Sequence, residues 1–382
     1  MKHCPHRPPC TACPRFGEQG IARAAQEALD QLARQHGLPR VRAVSGATRG
    51  FRLRARLAVR GRLGTPKIGL FEADSHRVVT IPECSVQHPL INEVAAVVRR
   101  CLVDARVSCY SERAGAGLVR YLQVVVERSS QTAQVVLVAN SADAQPLAEC
   151  LDLVRERLGE RLHSLWFNAN CEAGNTILGP RFQHWHGPAA LAERFGGAAV
   201  YYPPGAFGQS NLELAGQLIA HVRERVPQGA QVTEFYAGVG AIGLSLLERT
   251  RALTLNEVSP HSLAGLEMGL ARLDASERAR INVVPGTAGE ASAAAPMADV
   301  VIADPPRKGL DARLLQQLLA RPPERFIYVS CGLDSLLADT AALTAGAGLV
   351  LTELCAFNLM PFTGHVESVA VFGPQSISRC AK

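Results

Sequence analysis

The stretch Glu234-Phe235-Tyr236-Ala237-Gly238-Val239-Gly240-Ala241-Ile242-Gly243 joins one apolar run, Gln231–Tyr236, to another, Ala241–Arg249. The first reads as a strand and the second as a helix. Glycines at such a junction let the backbone approach a ligand closely, and the helix N-terminus offers free N–H groups. Gly238, Gly240 and Gly243 formally make G-x-G-x-x-G, and Glu257 closes the next apolar run, where a carboxylate can accept hydrogen bonds from ribose hydroxyls. Taken alone, the pattern fits a dinucleotide turn equally well, so a nicotinamide-dependent oxidoreductase is a rival at this point.

Outward from this turn the alternation continues. Ala252–Glu257, Ile281–Val284, Val300–Ala303 and Ile327–Ser330 read as strands and His261–Arg272 as a helix. Such alternation implies a mostly parallel sheet covered by helices, with ligands outside the carboxyl ends of the strands. Asp304-Pro305-Pro306-Arg307 and Tyr328-Val329-Ser330-Cys331 reach such ends, whereas Glu367 of His365-Val366-Glu367 does not. The Ala-rich stretch Ala288–Ala298 is expected to be a loop. Residues 51–200 mix strand-like runs (Leu53–Val59, Val78–Ile81, Leu118–Val126, Ala133–Val138) with helical ones near 89–103 and 145–158, which suggests a separate α+β region. Residues 20–35 carry Ile21, Ala25, Ala28, Leu29 and Leu32 at helical spacing.

The 382 residues and 47% apolar content provide for two or three domains with real cores. No apolar run is long enough to span a bilayer, and the start Met1-Lys2-His3-Cys4 lacks a secretory pattern, so the expectation is a cytoplasmic chain without a membrane partner. The charge of +6 is unevenly placed: between Asp30 and Glu72 there is no acidic residue, while Arg34, Arg40, Arg42, Arg49, Arg52, Arg54, Arg56, Arg60, Arg62 and Lys67 fall there. Arg52, Arg54 and Arg56 alternate with Leu53, Ala55 and Leu57, as in a strand with one basic face. A phosphate backbone is the expected partner, and a solvated face is the plain alternative. No obligate protein partner is evident. Of eleven cysteines, Cys4, Cys10 and Cys13 form C-x5-C-x2-C, and Cys84 follows later. Four thiolates suit an iron–sulfur cluster, with zinc as a rival on spacing. Cys101, Cys109, Cys150, Cys171, Cys355 and Cys380 read as packing or surface residues.

Hydride transfer has no need of a thiol at the strand end after Asp304-Pro305-Pro306. Methylation of uracil C5 does. That carbon becomes nucleophilic once a thiolate adds to C6, and a base must later remove the C5 proton so that the thiolate can leave. Cys331 and Glu367 suit those two roles, although a buried cysteine and a solvated glutamate would be the plain reading of either residue alone. The chain resembles the S-adenosylmethionine-dependent RNA uracil-C5 methyltransferases over nearly its whole length. Phe207-Gly208-Gln209-Ser210-Asn211 is similar to the family's F-x-Q-x-N, Phe235–Gly240 to its glycine-rich turn, and Asp304–Arg307 to its D-P-P-R. Tyr328–Cys331 is similar to its Y-V-S-C, and His365–Glu367 to its H-V-E.

The resemblance implies a Rossmann-like class I methyltransferase domain over residues 201–382, a central α+β RNA-binding domain over 91–200, and a cluster-binding and basic region over 1–90. It implies Cys331 as nucleophile and Glu367 as base. Gln209, Tyr236, Gly238, Glu257 and Asp304 would contact S-adenosylmethionine, and Arg307 would hold the pyrimidine or a phosphate. Cys4, Cys10, Cys13 and Cys84 would hold a [4Fe–4S] cluster, in a branch lacking the small N-terminal β-barrel module of some relatives. The expected substrate is a uridine in RNA, 23S ribosomal RNA ahead of tRNA, with a non-catalytic RNA-binding protein as the other class. The chain departs from the family in Gly332-Leu333 where Asn-Pro is usual, in Asn358 before the last motif, in Thr287 at the third strand end and in Ala241.

Overall fold

The computed structural model describes residues 4–294, 298–346 and 348–374, so Cys380 lies outside the described residues. Two compact units divide the chain. The first holds the described residues up to Gly17 with Ala47–Glu193 and Tyr202–Leu212, and the second holds Glu18–Gly46, Arg194–Tyr201 and the chain from Glu213 onward. These units cut the chain differently from the segments 1–90, 91–200 and 201–382 expected from the sequence. Residues 18–46 and 194–201 fall with the second unit and Tyr202–Leu212 with the first, while one sheet runs across the expected boundary at 90. Helix α1 (Arg23–Gln35) turns Ala25, Leu29, Leu32 and Ala33 into the same core as Phe326, Leu343 and Phe372, and strand β1 (Arg42–Val44) pairs with a strand more than 300 residues later.

The first unit is built on seven strands in the order Val78–Thr80, Thr65–Phe71, Arg54–Arg62, Val119–Val126, Ala133–Ala139, Leu162–Ala169, Arg181–His186. Neighbours run antiparallel except Ala133–Ala139 with Leu162–Ala169. A parallel pair requires a crossover, which the helix Ala148–Leu158 supplies. It packs against a second helix, Pro89–Asp104. The basic stretch does not form the single free face suggested by its alternation. Arg54–Arg62 is an inner strand, so its arginines are drawn into local partnerships. Arg54 Nη1 donates to the Ala206 carbonyl at 3.0 Å beneath the Tyr202 ring, and burial pulls its pKa down to about 10. Arg56 Nε donates to Gln123 Oε1 at 2.8 Å. Arg60 is buried, donates to the Val59 and Arg120 carbonyls, pairs with Glu112 and lies over Phe71 and Tyr121. Arg49, Arg56, Arg62 and Lys67 remain exposed in this unit.

The second unit carries the strand–helix alternation. After β1 come helix α2 (Leu212–Arg225), β2 (Ala230–Phe235), β3 (Thr250–Glu257), α3 (Pro260–Leu270), β4 (Ile281–Pro285), α4 (Ala288–Ala294) and β5 (Val300–Ala303). They are followed by α5 (Ala312–Ala320), β6 (Arg325–Ser330), α6 (Leu333–Gly346), β7 (Leu349–Phe357) and β8 (Glu367–Pro374). The sheet order is β1-β7-β8-β6-β5-β2-β3-β4. All neighbours are parallel except β8, which runs antiparallel to both β6 and β7. The carboxyl ends of β2, β3, β5 and β6 therefore share one edge with the beginning of β8.

Two local expectations change. Beyond the glycine turn the helix expected over 241–249 is a short 3-10 segment, Gly243–Leu246. Ser245 Oγ donates to the Ile242 carbonyl at 2.5 Å and Thr250 Oγ1 to that of Leu246 at 3.2 Å, hydroxyl bonds that compete with a regular helix. Conversely, Ala288–Ala294 of the expected loop is helical. Its start is capped reciprocally: Glu290 N donates to Thr287 Oγ1, and Thr287 N donates to Glu290 Oε2. Among the described residues no helix is long and apolar enough to cross a membrane.

Candidate active site

The chain reversal at β8 makes the site. Ser330, last in β6, is registered opposite Ser368, second in β8. Cys331 and Glu367 are the residues flanking that pair, so they meet at the same edge although 36 positions separate them. Ala303, last in β5, faces Tyr328 on β6, which brings Asp304 and the Pro305-Pro306 turn alongside. Cys331 Sγ stands 3.8 Å from the Pro305 carbonyl oxygen.

The electrostatics of this edge are dominated by buried acids. Glu367 is 8% exposed and its Oε2 has no hydrogen-bond partner among the described residues. Burial pushes its pKa up to about 7 against the pull of Arg307. Asp304 is pushed up to about 8 by burial and by the Glu367 carboxylate. The Cys331 thiol is raised to about 11 by burial, Glu367 and Asp304, with Arg307 opposing them. At neutral pH the edge thus holds a thiol, a carboxyl near its midpoint and a mostly protonated Asp304. Of this set the two carboxyls, Glu367 and Asp304, can exchange protons within about one pH unit of neutrality, the requirement for a general base, whereas the thiol stays protonated there.

Next along the edge, Glu257 ends β3. Its Oε2 accepts from Gly238 N at 2.7 Å, and its Oε1 accepts from Val258 N at 2.9 Å and Ser259 N at 2.6 Å. Three donors fix the carboxylate and leave lone-pair capacity for a ribose hydroxyl, so the residues present fit a nucleoside-bearing cofactor here. Exposed Val258 lies next in the chain. Tyr236 adopts a left-handed φ of +61°, a conformation usually left to glycine. Its hydroxyl accepts from Asp311 N at 3.0 Å, tying the turn to the start of α5. Gly243 has no room for a Cβ, which would overlap Glu234 Oε2 and Leu255 Cδ2.

Glu234 was not singled out by the sequence reading. It is buried, its Oε2 has no partner among the described residues, and burial followed by the Asp304 charge raises it well above the ordinary carboxylate range. An acid four residues before Gly238, inside an apolar run, was the available signal. Thr287, noted as a departure, is occupied as the cap of α4.

The remaining candidates lie in the first unit. Gln209 lines a small cavity there with Leu53, Arg54 and Tyr202. The thiols of Cys4, Cys10, Cys13 and Cys84 are near neighbours: burial and then Cys84 and Cys10 push Cys13 up to about 11, with Cys4 adding and Arg52 opposing. Among the described residues, however, no group of three or more His, Cys, Asp or Glu side chains is arranged to hold a metal ion. The cluster expectation therefore gains the proximity of its four thiols and no ligand geometry.

The family model for tRNA (uracil-5-)-methyltransferase matches residues 199–373. A Protochlamydia amoebophila protein named as an uncharacterized RNA methyltransferase is 35% identical over 381 residues, covering 97% of each chain. A similarly named protein of Geobacter sulfurreducens is 32% identical over 333 residues, 84% of this chain and 65% of its own. Among solved structures, the Pyrococcus abyssi tRNA (uracil-54, C5)-methyltransferase in complex with S-adenosyl-L-homocysteine superposes with a TM-score of 0.77 at 23% identity. That match covers 96% of this chain and 86% of the other, and it carries the fold.

Proposed function

The chain belongs to the RNA (uracil-5-)-methyltransferase family and is an S-adenosylmethionine-dependent RNA methyltransferase; on that premise we propose that it methylates C5 of a uridine through Cys331 and Glu367. The observation that carries this reading is the antiparallel return of β8, which sets a buried, high-pKa carboxyl beside the strand-end thiol. In the proposed reaction the Cys331 thiolate adds to C6 and C5 gains enolate character. S-adenosylmethionine, when bound, supplies the methyl group to that carbon. Glu367 then takes the C5 proton, the C6–sulfur bond breaks, and the thiolate is released. Glu257, its Oε2 held by the Gly238 N–H, would bind the ribose of the cofactor, with Gly238 letting the backbone approach it closely. Tyr236, Asp304 and Gln209 are proposed as further cofactor contacts, and Arg307 as a contact of the pyrimidine or a phosphate.

The test is covalent trapping on RNA containing 5-fluorouridine. Fluorine cannot leave as a cation, so the wild-type protein should accumulate a stable methylated adduct. Cys331→Ala should form none, and Glu367→Gln should accumulate adduct on ordinary uridine RNA. Uridine methylation at the wild-type rate by Cys331→Ala would refute the nucleophile. For the target we propose ribosomal RNA, with tRNA second because the P. abyssi neighbour is named for tRNA. Nucleoside mass spectrometry of both fractions with and without the gene decides between them. We further propose that Cys4, Cys10, Cys13 and Cys84 hold a [4Fe–4S] cluster, supported by their mutual electrostatic reach. Anaerobically purified protein should then contain iron and acid-labile sulfide, and zinc without iron would refute it.

A further inference from the structure

We propose that Gly332 is a positioning residue for the thiol: its missing side chain lets the loop after β5 seat against the turn after β6, and this seat sets Arg307 beside Cys331. A Cβ on Gly332 would stand 2.6 Å from the Arg307 carbonyl oxygen and 2.6 Å from Ser335 Oγ. Ordinary contact begins near 3.4 Å, so the obstructing backbone would have to retreat by about 0.8 Å.

The rest of the loop is held in the same way. Gly309, at a φ of +86°, has its would-be Cβ 2.6 Å from Asp339 Oδ2 and 2.9 Å from Ser335 Cβ. Leu310 N donates to Asp339 Oδ2 at 3.1 Å, and Tyr328 Oη donates to the same oxygen at 2.7 Å. Gly309 N closes the turn onto the Pro306 carbonyl at 2.9 Å. On the opposing side, Gly332 N donates to Ser330 Oγ at 3.3 Å, and Ser335 Oγ donates to the Gly332 carbonyl at 3.0 Å. Small residues of the β6 turn and the first turns of α6 thus form the socket, and the Asp-Pro-Pro-Arg loop fills it.

The consequence falls on the thiol. Glu367 and Asp304 both oppose its ionisation, and Arg307 favours it. Arg307 also acts on Glu367 and His365. Lifting the loop at Arg307 moves the guanidinium away from Cys331, while Glu367 is held in β8 and Asp304 is tied to the sheet by its N–H to the Phe235 carbonyl. Thiolate becomes scarcer at a given pH.

The inference deepens the proposed uracil chemistry and rests on it for its purpose, but its test reads the thiol directly. Alkylation of Cys331 by iodoacetamide, followed against pH by peptide mass spectrometry, compares the full-length wild type with Gly332→Ala, Arg307→Ala and the double variant. Gly332→Ala should move the alkylation profile to higher pH by about half a unit, or about three-fold less thiolate at fixed pH. Arg307→Ala should move it at least as far. The double variant should match Arg307→Ala alone, because the glycine acts through the arginine. An unmoved Gly332→Ala profile, or additive shifts in the double variant, would overturn the proposal. Gly332→Ala/Ser335→Ala removes the hydroxyl obstacle and leaves only the Arg307 carbonyl against the new Cβ. The shift must persist there; a return to the wild-type profile assigns it to Ser335 packing and likewise overturns the proposal. Failure of RNA trapping with the alkylation shift intact would reject the uracil reading alone.

Discussion

Replacing Glu367 by Gln should stabilise the protein in a pH-dependent way while stopping turnover. The carboxyl is 8% exposed, one oxygen has no partner among the described residues, and its pKa rises from 4.5 to about 7. A carboxyl with a raised folded-state pKa favours folding less as it ionises. The penalty is absent below the unfolded value near 4.5, grows through the window up to about 7, and is complete above it. At 1.36 kcal/mol per unit, the full penalty is about 3 kcal/mol at pH 8 and about 1.4 kcal/mol at pH 5.5. Gln keeps the shape and removes the charge. Urea unfolding of wild type and variant at both pH values should show the advantage of Glu367→Gln growing by about 2 kcal/mol from pH 5.5 to 8. Relief of the Glu367 charge on Asp304 acts in the same direction. Parallel stability curves for the two proteins, or a variant less stable at pH 8, would refute the buried, unpaired carboxyl.

Three further outcomes test other parts of the structure. Gly243→Ala drives a methyl group into Glu234 and Leu255, and should cost about 1–3 kcal/mol of stability and weaken S-adenosylmethionine binding by calorimetry. Tyr236→Phe leaves Asp311 N without its acceptor, and should cost about 1 kcal/mol in denaturant unfolding without removing the cofactor turn. In the first unit, Arg62→Ala and Lys67→Ala alter exposed charges. If these contact phosphate, each should lower the salt slope of RNA binding by about 1, whereas buried Arg60→Ala should lower the melting temperature instead.

The parallel part of the second unit was legible because each strand is an apolar run ended by a polar or glycine-rich turn, and Asp304 and Cys331 sit one residue past such ends. Glu367 was not legible by position, because only the antiparallel return of β8 brings the start of a strand to the edge where other strands finish. Register of that kind is a long-range property. The same limit hid the membership of α1 and β1 in the second unit, which depends on pairing Val44 with Phe357. Arg60 is a different case. Local alternation announced a basic face, but the strand's central place in its sheet turned the charge into a buried bridge to Glu112 and two carbonyls. The helix Ala288–Ala294 could have been found, since Thr287-Ala288-Gly289-Glu290 spells a capping box, and alanine favours a helix once one has begun.

The proposed roles constrain how protons must move. Cys331 and Glu367 oppose each other's ionisation, and between the Glu367 value of about 7 and the Cys331 value of about 11 the pair carries one negative charge. Before addition that charge rests on Glu367, with a thiol beside it. Passing the thiol proton to Glu367 makes the thiolate without adding charge to the pocket. Addition to C6 carries the charge onto the enolate, and methylation discharges it, leaving a neutral adduct facing a protonated Glu367. A protonated carboxyl cannot take the C5 proton. One proton must therefore leave after methyl transfer and before elimination, and the balanced reaction releases one. Asp304, which both feels the Glu367 charge and rises to about 8, is the neighbouring group whose protonation responds to that departure. Elimination then gives thiolate and protonated Glu367, and return of the proton to sulfur restores the starting pair. Rate should consequently fall on the acid side as the loaded carboxyl fails to empty near its pKa of about 7. Trapped adduct on ordinary uridine RNA should rise over the same interval. A wild-type enzyme whose adduct level stays flat between pH 5.5 and 8 while its rate falls would place the acid limb before methyl transfer and remove Glu367 as the group that must empty.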